Sequence, residues 1–329
     1  MPYTRLTRKT AVSWIAGSVG TPIAIASYRV ADVSLNTEGN MTLANNNYVG
    51  AFQPGPNRPG GRWGTLSFTS ELRGSDTADT PPPEGALLRA CGFRETNSGT
   101  TPSIVYTYTL ADPHLTTGDP VGYLDQINFT VNEDRLDRDF TDAVGNVIFN
   151  FTAAQIPTMG FAFRMNAPVS AAAEGAADAY TVGSPPVPVQ AEACTLTPSG
   201  SSAVANLVIS SLIYDVGNFI DPRDDINGTY GYSDPIITGR NPAITLVVEA
   251  PLIATIDFEV LFRAQTDIDV AFTHNVGGGI REEVAVAFTG QISDQPVLSE
   301  MNGKFVYTIP MQQSIATGAT PLTLTWAAS

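Results

Sequence analysis

Residues 64–93, GTLSFTSELRGSDTADTPPPEGALLRACGF, change from one periodicity to another within a single segment. Leu66 and Phe68 alternate with the polar Ser67 and Thr69, which is the period-two pattern of a half-buried antiparallel strand. The small residues of GSDTADT then let the chain leave the strand. The segment therefore predicts a strand and a loop, followed by a short helix that returns onto the sheet.

The predicted helix follows three prolines at 81–83, a residue type that fits the first turn of a helix. Leu87, Leu88 and Cys91 form an apolar stripe, and Gly92 fits a left-handed C-terminal stop. A helix this short is stable only when it packs on other elements. We therefore expect it to cover an opening of a β-sandwich or barrel-like module.

Alternating apolar and polar residues recur along the rest of the chain, in runs bounded by Gly, Pro, Asn and Asp. Such runs are typical of half-buried antiparallel strands, so the sequence predicts an all-β fold with a few short helices. The runs are SIVYTYTL (103–110), NVIFNFTA (146–153), GFAFRMNA (160–167), NLVISSLIYDV (206–216), AITLVVEA (243–250), DIDVAFTH (267–274), EEVAVAFTGQI (282–292) and GKFVYTIPM (303–311).

A second short helix is predicted in PLIATIDFEVLFRAQT, residues 251–266. Thr255 is the candidate N-cap, since threonine side chains accept hydrogen bonds from the first free amides of a helix. Phe258, Leu261 and Phe262 follow at helical spacing on one face. We expect this face to be buried on a sheet.

The order strand, long loop, strand, helix and three strands occurs twice in the chain. Residues 27–36 resemble 210–218, and we match the strand at 104–110 with that at 267–273. We therefore predict two tandem β-sandwich or barrel-like modules, each with a short packing helix. The predicted parts are an N-terminal arm (1–22), a first module (23–170, with a long loop at 37–62), a Pro- and Ala-rich linker (171–190), a second module (191–315) and a C-terminal tail (316–329).

The charge of the chain is strongly acidic, with 17 Lys and Arg against 32 Asp and Glu and a net charge of −15. An acidic body repels phosphate, which argues against DNA binding through counterion release. Residues 1–31 contain only basic charges, and such an arm favours contact with an acidic surface. Two cysteines do not make a disulfide framework, so we expect buried free thiols formed in a reducing compartment.

Catalytic and cofactor motifs are not found in the sequence, and we predict a non-enzymatic protein without cofactor or metal. His114 and His274 lack a partner at diagnostic spacing and are interpreted as surface residues. DPRDDINGTYGYSD resembles a calcium loop only in part, because Arg223 occupies the first ligand position. Trp63 and Trp326 are interpreted as packing or interface residues.

Several of these stretches resemble the major tail tube proteins of long-tailed bacteriophages. The resemblance implies a structural virion protein whose rings stack into a hollow tube, through which double-stranded DNA passes from capsid to host. Matching stretches are RKTAVSWIAGSVGTP (8–22), GRWGTLSFTSELRGSDTADTPPPEGALLRACGF (61–93), GNVIFNFTAAQIPTMGFAFRMNAPV (145–169), and SSLIYDVGN with IITGRNPAITLVVEAPLIATIDF (within 210–258).

The resemblance also implies partners and a location. The chain would associate with itself in trimeric pseudo-hexameric or hexameric rings, and with tail terminator and distal tail proteins at the ends of the tube. The tape measure protein and DNA would occupy the lumen without tight binding. Assembly would take place in the cytoplasm of the bacterial host, and the mature protein would reside in the virion tail.

Two sets of residues are candidates for the surfaces of such a tube. Acids that alternate with core residues are candidates for the lumen, where negative charge lets DNA slide, although an outer-surface or interface position fits each of them equally. The lumen candidates are Glu71, Asp125, Glu249, Asp269 and Glu283, and the candidates for contacts between rings are Arg5, Arg8, Lys9, Asn57 and Arg58.

Two other functions fit parts of the sequence. A secreted or surface β-sandwich adhesin would use a signal-like N-terminus and four Asn-x-Ser/Thr triplets, although polar residues interrupt the apolar run of that signal. A carbohydrate-active β-sandwich enzyme would use a carboxylate pair such as Glu249 and Glu283. Neither acid has an aromatic platform beside it in the sequence.

Overall fold

The structure is a computed structural model of the full chain. It describes residues 10–16, 30–42, 58–74, 79–101, 103–111, 125–133, 136–166, 171–174, 187–189, 194–204, 207–228, 231–275, 283–314 and 319–327.

Within these ranges the protein is almost entirely β-structure with two short helices, as the sequence predicts. The helices are α1 (Gly85–Ala90) and α2 (Phe258–Ala264). The strands are β1 (Thr10–Ala16), β2 (Val30–Thr42), β3 (Arg58–Glu71), β4 (Phe93–Ser98), β5 (Val105–Leu110), β6 (Ile127–Glu133), β7 (Leu136–Thr152), β8 (Thr158–Asn166), β9 (Ala171–Glu174), β10 (Thr195–Pro198), β11 (Ile209–Asp215), β12 (Asn218–Asp221), β13 (Ile236–Arg240), β14 (Ala243–Glu249), β15 (Asp267–Asn275), β16 (Glu283–Ile292), β17 (Val297–Met301), β18 (Lys304–Gln313) and β19 (Thr323–Ala327).

The segment at 64–93 folds as its periodicity predicts. Leu66 and Phe68 of β3 are buried, and the next helix, α1, buries Leu87 and Leu88 completely. Gly92 ends the helix with φ +87°, in the left-handed region that glycine tolerates best. This part of the fold is therefore specified by local sequence.

The N-cap of the second helix lies two residues later than predicted. Asp257, not Thr255, is the N-cap, and its carboxylate accepts hydrogen bonds from the backbone N–H groups of Glu259 and Val260 at 3.0 and 3.1 Å. An aspartate satisfies two free amides and also places negative charge at the positive end of the helix. Thr255 lies in the preceding turn.

Eight antiparallel strands form one continuous main sheet in the order β2–β3–β8–β7–β11–β14–β18–β17. The first four strands come from the N-terminal half of the chain and the last four from the C-terminal half. The pair β7–β11 joins the halves, with Phe149 opposite Tyr214 and Phe151 opposite Leu212. Backbone hydrogen bonds therefore join strands of both halves into one continuous sheet.

A second layer covers one face of the main sheet. It contains the ladder β1–β6–β7, with β9 also on β7, and the ladder β10–β15–β16–β19–β5–β4. The long strand β7 belongs to both layers, and β16 is linked to the main sheet through β18. The core lies between the layers, with α1 packed beside β4 and β7.

Strand pairing repeats between the two halves, which we call the first and second repeats. The first repeat follows the order β1–β6–β7–β8–β3–β2, and the second follows β10–β15–β16–β18–β14–β11. Strand β17 continues the course of β16 and pairs with β18, as the C-terminal half of β7 pairs with β8. The predicted match between the strands at 104–110 and 267–273 was wrong, because β15 corresponds to β6.

Register irregularities repeat as well. An additional residue lies on β2 between its pairs at Ala31 and Ser34, and on β11 between its pairs at Ile209 and Ser211. A second shift, with the additional residue on the returning strand, follows in both hairpins. Bulges whose additional residue lies on the same strand of an equivalent pair are a more specific similarity than a shared order of strands.

Four predicted irregular segments contain strands. The long loop at 37–62 was too wide, because β2 continues to residue 42 and β3 begins at residue 58. The linker at 171–190 contains β9, the tail at 316–329 contains β19, and the arm at 1–22 contains β1. These strands are short or pair with distant partners, so their own periodicity is weak.

Aromatic residues fill the core of the first repeat around Phe68. Its ring lies 5.5–6.1 Å from those of Trp14, Phe129, Phe161 and Phe163, which come from β1, β6 and β8. Such contacts contribute beyond the burial of apolar area. The N-terminal strand is therefore part of the core, through Trp14.

The junction of the repeats has its own aromatic contacts. Phe151 meets Phe272 at 4.8 Å and Tyr214 meets Phe288 at 5.2 Å, in both cases edge to face. Trp326 of β19 is fully buried against Tyr108, and its indole N–H donates to the backbone oxygen of Arg73 at 3.0 Å. The predicted packing role of Trp326 is confirmed.

Replacing Trp326 by alanine should destabilise the subunit by about 3–5 kcal/mol, because it empties a large buried site and leaves the Arg73 carbonyl without its donor. Guanidinium unfolding followed by circular dichroism measures the loss. Thr325→Ala on the same strand is the control and should cost about 1 kcal/mol. Equal losses for the two variants would contradict a packing role specific to Trp326.

Candidate functional surface

The face of the main sheet opposite the core carries mostly small, neutral side chains, with a few larger apolar ones such as Ile148, Ile213 and Val247, and we call it the polar face. Along β3, β8 and β14 its residues alternate strictly with buried ones, so the pleat of each strand decides which side chains it carries. Its described members include Ser34, Asn36, Thr65, Ser67, Thr69, Asn146, Asn150, Gly160, Ala162, Ser211, Thr245 and Thr308.

Three acids of the polar face are paired or hydrogen-bonded, and a fourth, Asp32, is exposed beside one of the depressions of this face. Glu71 lies 2.6 Å from the Arg73 guanidinium, and Glu249 lies 3.0 Å from the Lys304 ammonium. Asp215 accepts a hydrogen bond from the side chain of Asn146 at 2.8 Å. These contacts balance the acidic charge locally, so this face is less negative than the net charge of the chain suggests.

The relief of the polar face is low. Two depressions, of about 260 and 280 Å³, lie over β3 and β8 and are lined by residues such as Ser67 and Ala162. Arg164 stacks on Trp63, with 4.9 Å between the guanidinium carbon and the ring centroid, which holds this cation against the sheet. The described part of this face is thus closer to a flat surface than to a binding pocket.

Two of the five lumen candidates, Glu71 and Glu249, both lie on the polar face. The other three do not: Asp125 precedes β6 and pairs with Arg89 at 2.9 Å, while Asp269 and Glu283 lie on β15 and β16 of the second layer. Asp269 accepts a hydrogen bond from the Thr289 hydroxyl at 2.5 Å. The geometry therefore selects the first pair as the candidates that share one surface.

Most candidates for contacts between rings lie outside the described residues. These are Arg5, Arg8, Lys9 and Asn57. Arg58 is the first residue of β3, opposite Thr42, near the end of the β2–β3 hairpin. Their role in stacking stays a prediction.

The two outer strands of the main sheet, β2 and β17, have open edges. In the described part of the chain β2 pairs only with β3, and β17 pairs only with β18. Every residue of β17 is exposed, including the apolar Val297, Leu298 and Met301. An exposed apolar edge strand is a template for pairing with another chain.

Sequence reasoning missed β17. Asn302-Gly303, both with positive φ, form the turn between β17 and β18. Asn-Gly between two apolar runs is the strongest short hairpin signal, and it was available in the sequence. The preceding VLSE run is short and half polar, which is why alternation alone did not reveal it.

Exposed apolar residues also gather around α2. Leu298 and Phe305 are 51% and 63% exposed, and Phe305 accepts a backbone hydrogen bond from Ala250, which leads into the turn carrying Leu252 and Ile253. A groove of about 610 Å³ separates α2 from the turn at 198–204. The equivalent helix α1 is covered by β4 and β5, whereas α2 buries only Phe258 completely.

The hairpin β12–β13 of the second repeat holds the first repeat through polar contacts. The side-chain amide of Asn218 donates to the backbone oxygens of Cys91 and Gly145 at 2.8 and 3.0 Å. Arg240 donates to the Ala111 oxygen at 3.0 Å. Tyr232 lies edge to face on Trp63 at 5.1 Å, which confirms a packing role for this tryptophan.

Features that would suggest other activities are sparse. In the part of the chain that the structure describes, no three His, Cys, Asp or Glu side chains cluster as metal ligands would. In the calcium-like segment, the Asp225 carboxylate accepts a hydrogen bond from the backbone N–H of Asn227. The Arg223 guanidinium donates to the Ser233 hydroxyl and to the backbone oxygen of Asp234, so the polar groups of this segment have partners within it. No described helix has the length and apolar character needed to cross a membrane.

Two titratable residues, His274 and Cys194, line a cavity near the junction of the repeats. His274 of β15 is buried, so its assignment as a surface residue was wrong; the cavity that it lines with Cys194 has a volume of about 240 Å³. Burial lowers the pKa of His274, against a smaller opposite effect of the nearby Val187 backbone, and neither ring nitrogen has a partner within hydrogen-bonding geometry among the described residues. Burial also raises the pKa of the Cys194 thiol to about 11, and both cysteines are free.

No protein-family model and no curated protein matches this chain. The similarity to tail tube proteins therefore remains a prediction from the quoted stretches. Separately from that prediction, the described residues show a repeated order of strands, a sheet that continues across both repeats, and two edge strands with one partner each.

The buried His274 predicts a pH dependence of stability. Its folded-state pKa lies below the unfolded value of about 6.5, so the unfolded chain takes up a proton first and stability falls as pH drops below about 6.5. Compared with His274→Leu, the wild type should lose more melting temperature between pH 7 and pH 5. Thr273→Ala is the non-titrating control, and parallel pH profiles for wild type and His274→Leu would contradict the prediction.

Proposed function

We propose that this chain is the major tail tube protein of a long-tailed bacteriophage, a structural protein of the virion that forms stacked rings around a DNA conduit. The observation that carries the proposal is the head-to-tail arrangement of the repeats in one eight-stranded sheet. Strand β11 of the second repeat pairs with β7 of the first. The equivalents of these two strands, β2 and β17, lie at the two ends of the sheet, and in the described chain each has one unpaired edge.

An arrangement of this kind favours ring formation. A head-to-tail contact uses two different surfaces, so each added unit leaves a new open surface, and the series ends only when the ring closes. Ring closure would cover both edge strands, which removes the risk of uncontrolled association. The resemblance implies six modules in a ring, so three chains with two repeats each would suffice.

The polar face fits the wall of a DNA conduit. Its side chains are mostly neutral, and three of its acids are held in local contacts with Arg73, Lys304 and Asn146. A phosphate backbone that passes such a surface finds neither a cluster of cations nor a deep pocket. The net charge of −15 adds long-range repulsion, so DNA and a tape measure protein would slide without adhering.

The remaining partners follow from the same proposal. Stacked rings expose one surface at each end of the tube, and tail terminator and distal tail proteins would cover these surfaces. The basic arm before β1 and the tip of the β2–β3 hairpin are the candidates for contacts between rings. The assembled protein would form part of the virion after assembly in the bacterial cytoplasm.

Negative-stain electron microscopy of the purified chain tests the proposal. We expect rings or tubes with a central hole, and analytical ultracentrifugation of the rings should give the mass of three chains. A compact monomer at high protein concentration, with no assembled species in either measurement, would contradict the proposed function.

Deletion of residues 1–9 tests the arm separately. The deletion stops before β1, so the subunit and its rings should form normally while tubes become shorter or disappear. The triple variant Arg5→Ala, Arg8→Ala, Lys9→Ala keeps the length of the arm and should reproduce the effect if charge is responsible. Tubes of unchanged length for both variants would exclude the arm from ring stacking.

A further inference from the structure

We infer that a second copy of this chain binds at the open edge of β17 by adding its own β2 as the next antiparallel strand. The inference deepens the proposed ring, since it names the two strands that meet at each contact between subunits. It also gives the register, with Asn36 of one subunit opposite Met301 of its neighbour.

The junction inside the subunit provides the template. At this junction β11, the outermost main-sheet strand of the second repeat, pairs with the C-terminal half of β7. By strand order, the equivalent of β11 in the first repeat is β2, and the equivalent of the C-terminal half of β7 in the second repeat is β17. The same contact between subunits therefore joins β2 to β17.

The matching bulges fix the alignment of β2 with β11. Ser34 is the first paired residue after the bulge in β2, and Ser211 holds the same place in β11. Counting two residues onward aligns Asn36 with Ile213. The pattern of faces agrees, since Leu35 and Leu212 both contact the core while Asn36 and Ile213 are exposed.

The alignment then passes across the sheet from strand to strand. Ser34 lies opposite Ser67 and Ser211 opposite Val247, which aligns Leu66 with Leu246 and, one strand further, Phe163 with Ile309.

Phe163 lies opposite Gly145 in β7. Val297 lies opposite Thr308, and extending this register by one residue places Pro296 opposite Ile309. Gly145 is thus equivalent to Pro296, and Asn150 to Met301. Within the subunit Ile213 lies opposite Asn150, so between subunits Asn36 lies opposite Met301.

The chemistry of the two edges fits this occupant. Val297, Leu298 and Met301 are 59%, 51% and 42% exposed, on a strand with no second partner in the described chain. Residues 297–301 would face residues 40–36 of the neighbour, all of which lie in β2. Strand addition would supply backbone partners to β17 and shield Leu298 on the core side of the sheet.

The hairpins extend the same equivalence. The hairpin β12–β13 reaches back over the first repeat, where Asn218 binds the backbone at Cys91 and Gly145. In the first repeat the described end of the β2–β3 hairpin, residues 37–42 and 58–63, occupies the equivalent place. These residues would accordingly lie against the second repeat of the neighbouring subunit, beside the exposed apolar patch near α2.

Paired cysteines test the register. In a Cys194→Ser background, Asn36→Cys with Met301→Cys should form disulfides between subunits under mild oxidation, because opposed antiparallel residues have Cα separations that a disulfide can bridge. A non-reducing gel should show dimers and covalently closed trimers. Each single cysteine variant, and the pair Asn36→Cys with Glu300→Cys, which places the cysteines on opposite faces, should remain monomeric on the gel.

The equivalent pair inside the subunit is the positive control. Ile213→Cys with Asn150→Cys should close within one chain, which mass spectrometry detects as a loss of two hydrogens without a change in oligomer. Rings that carry the Asn36–Met301 link support the inference. Rings without it, while the control pair closes, overturn the β2–β17 contact and leave the tail tube proposal intact. Absence of any assembly, seen by electron microscopy, overturns both.

Discussion

Backbone pairing between β7 and β11 is the contact on which the architecture depends. It turns two similar repeats into one sheet, and it aligns their polar faces on the same side. The aromatic contacts of Phe151 with Phe272 and of Tyr214 with Phe288 then fix the second layer over this junction. Without the pairing, each repeat would expose two edges, and the polar face would be divided into separate patches.

Local sequence was sufficient to predict the elements whose structure is decided locally. The strand at Leu66 and Phe68, the helix after the prolines and the turn at Gly92 all carry their own signals of period, start and stop. The strands β9 and β19 do not, because they are short and their partners are distant in sequence, whereas β17 is short and half polar and only its Asn-Gly turn gives a signal. His274 illustrates the same limit: one histidine at a strand end gives no indication that a second layer covers it.

The candidate surface was predicted only in part. Four of the five acids were identified correctly as strand residues, whereas Asp125 precedes β6, and alternation does not reveal which layer a strand joins. Glu71 and Glu249 share the polar face because β3 and β14 are equivalent strands of one sheet, whereas Asp269 and Glu283 belong to the other layer. Nor could the sequence show that Arg73 and Lys304 would neutralise that pair.

The covalent connection of two repeats has a kinetic consequence for the proposed ring. Half of the contacts between neighbouring repeats in the ring form during folding of single chains. There the local concentration of the partner strand does not depend on how much protein the cell has made. Closure then requires encounters of three bodies in place of six. Assembly would thus begin at lower protein levels, and incomplete arcs would be fewer than for a protein that carries one repeat per chain.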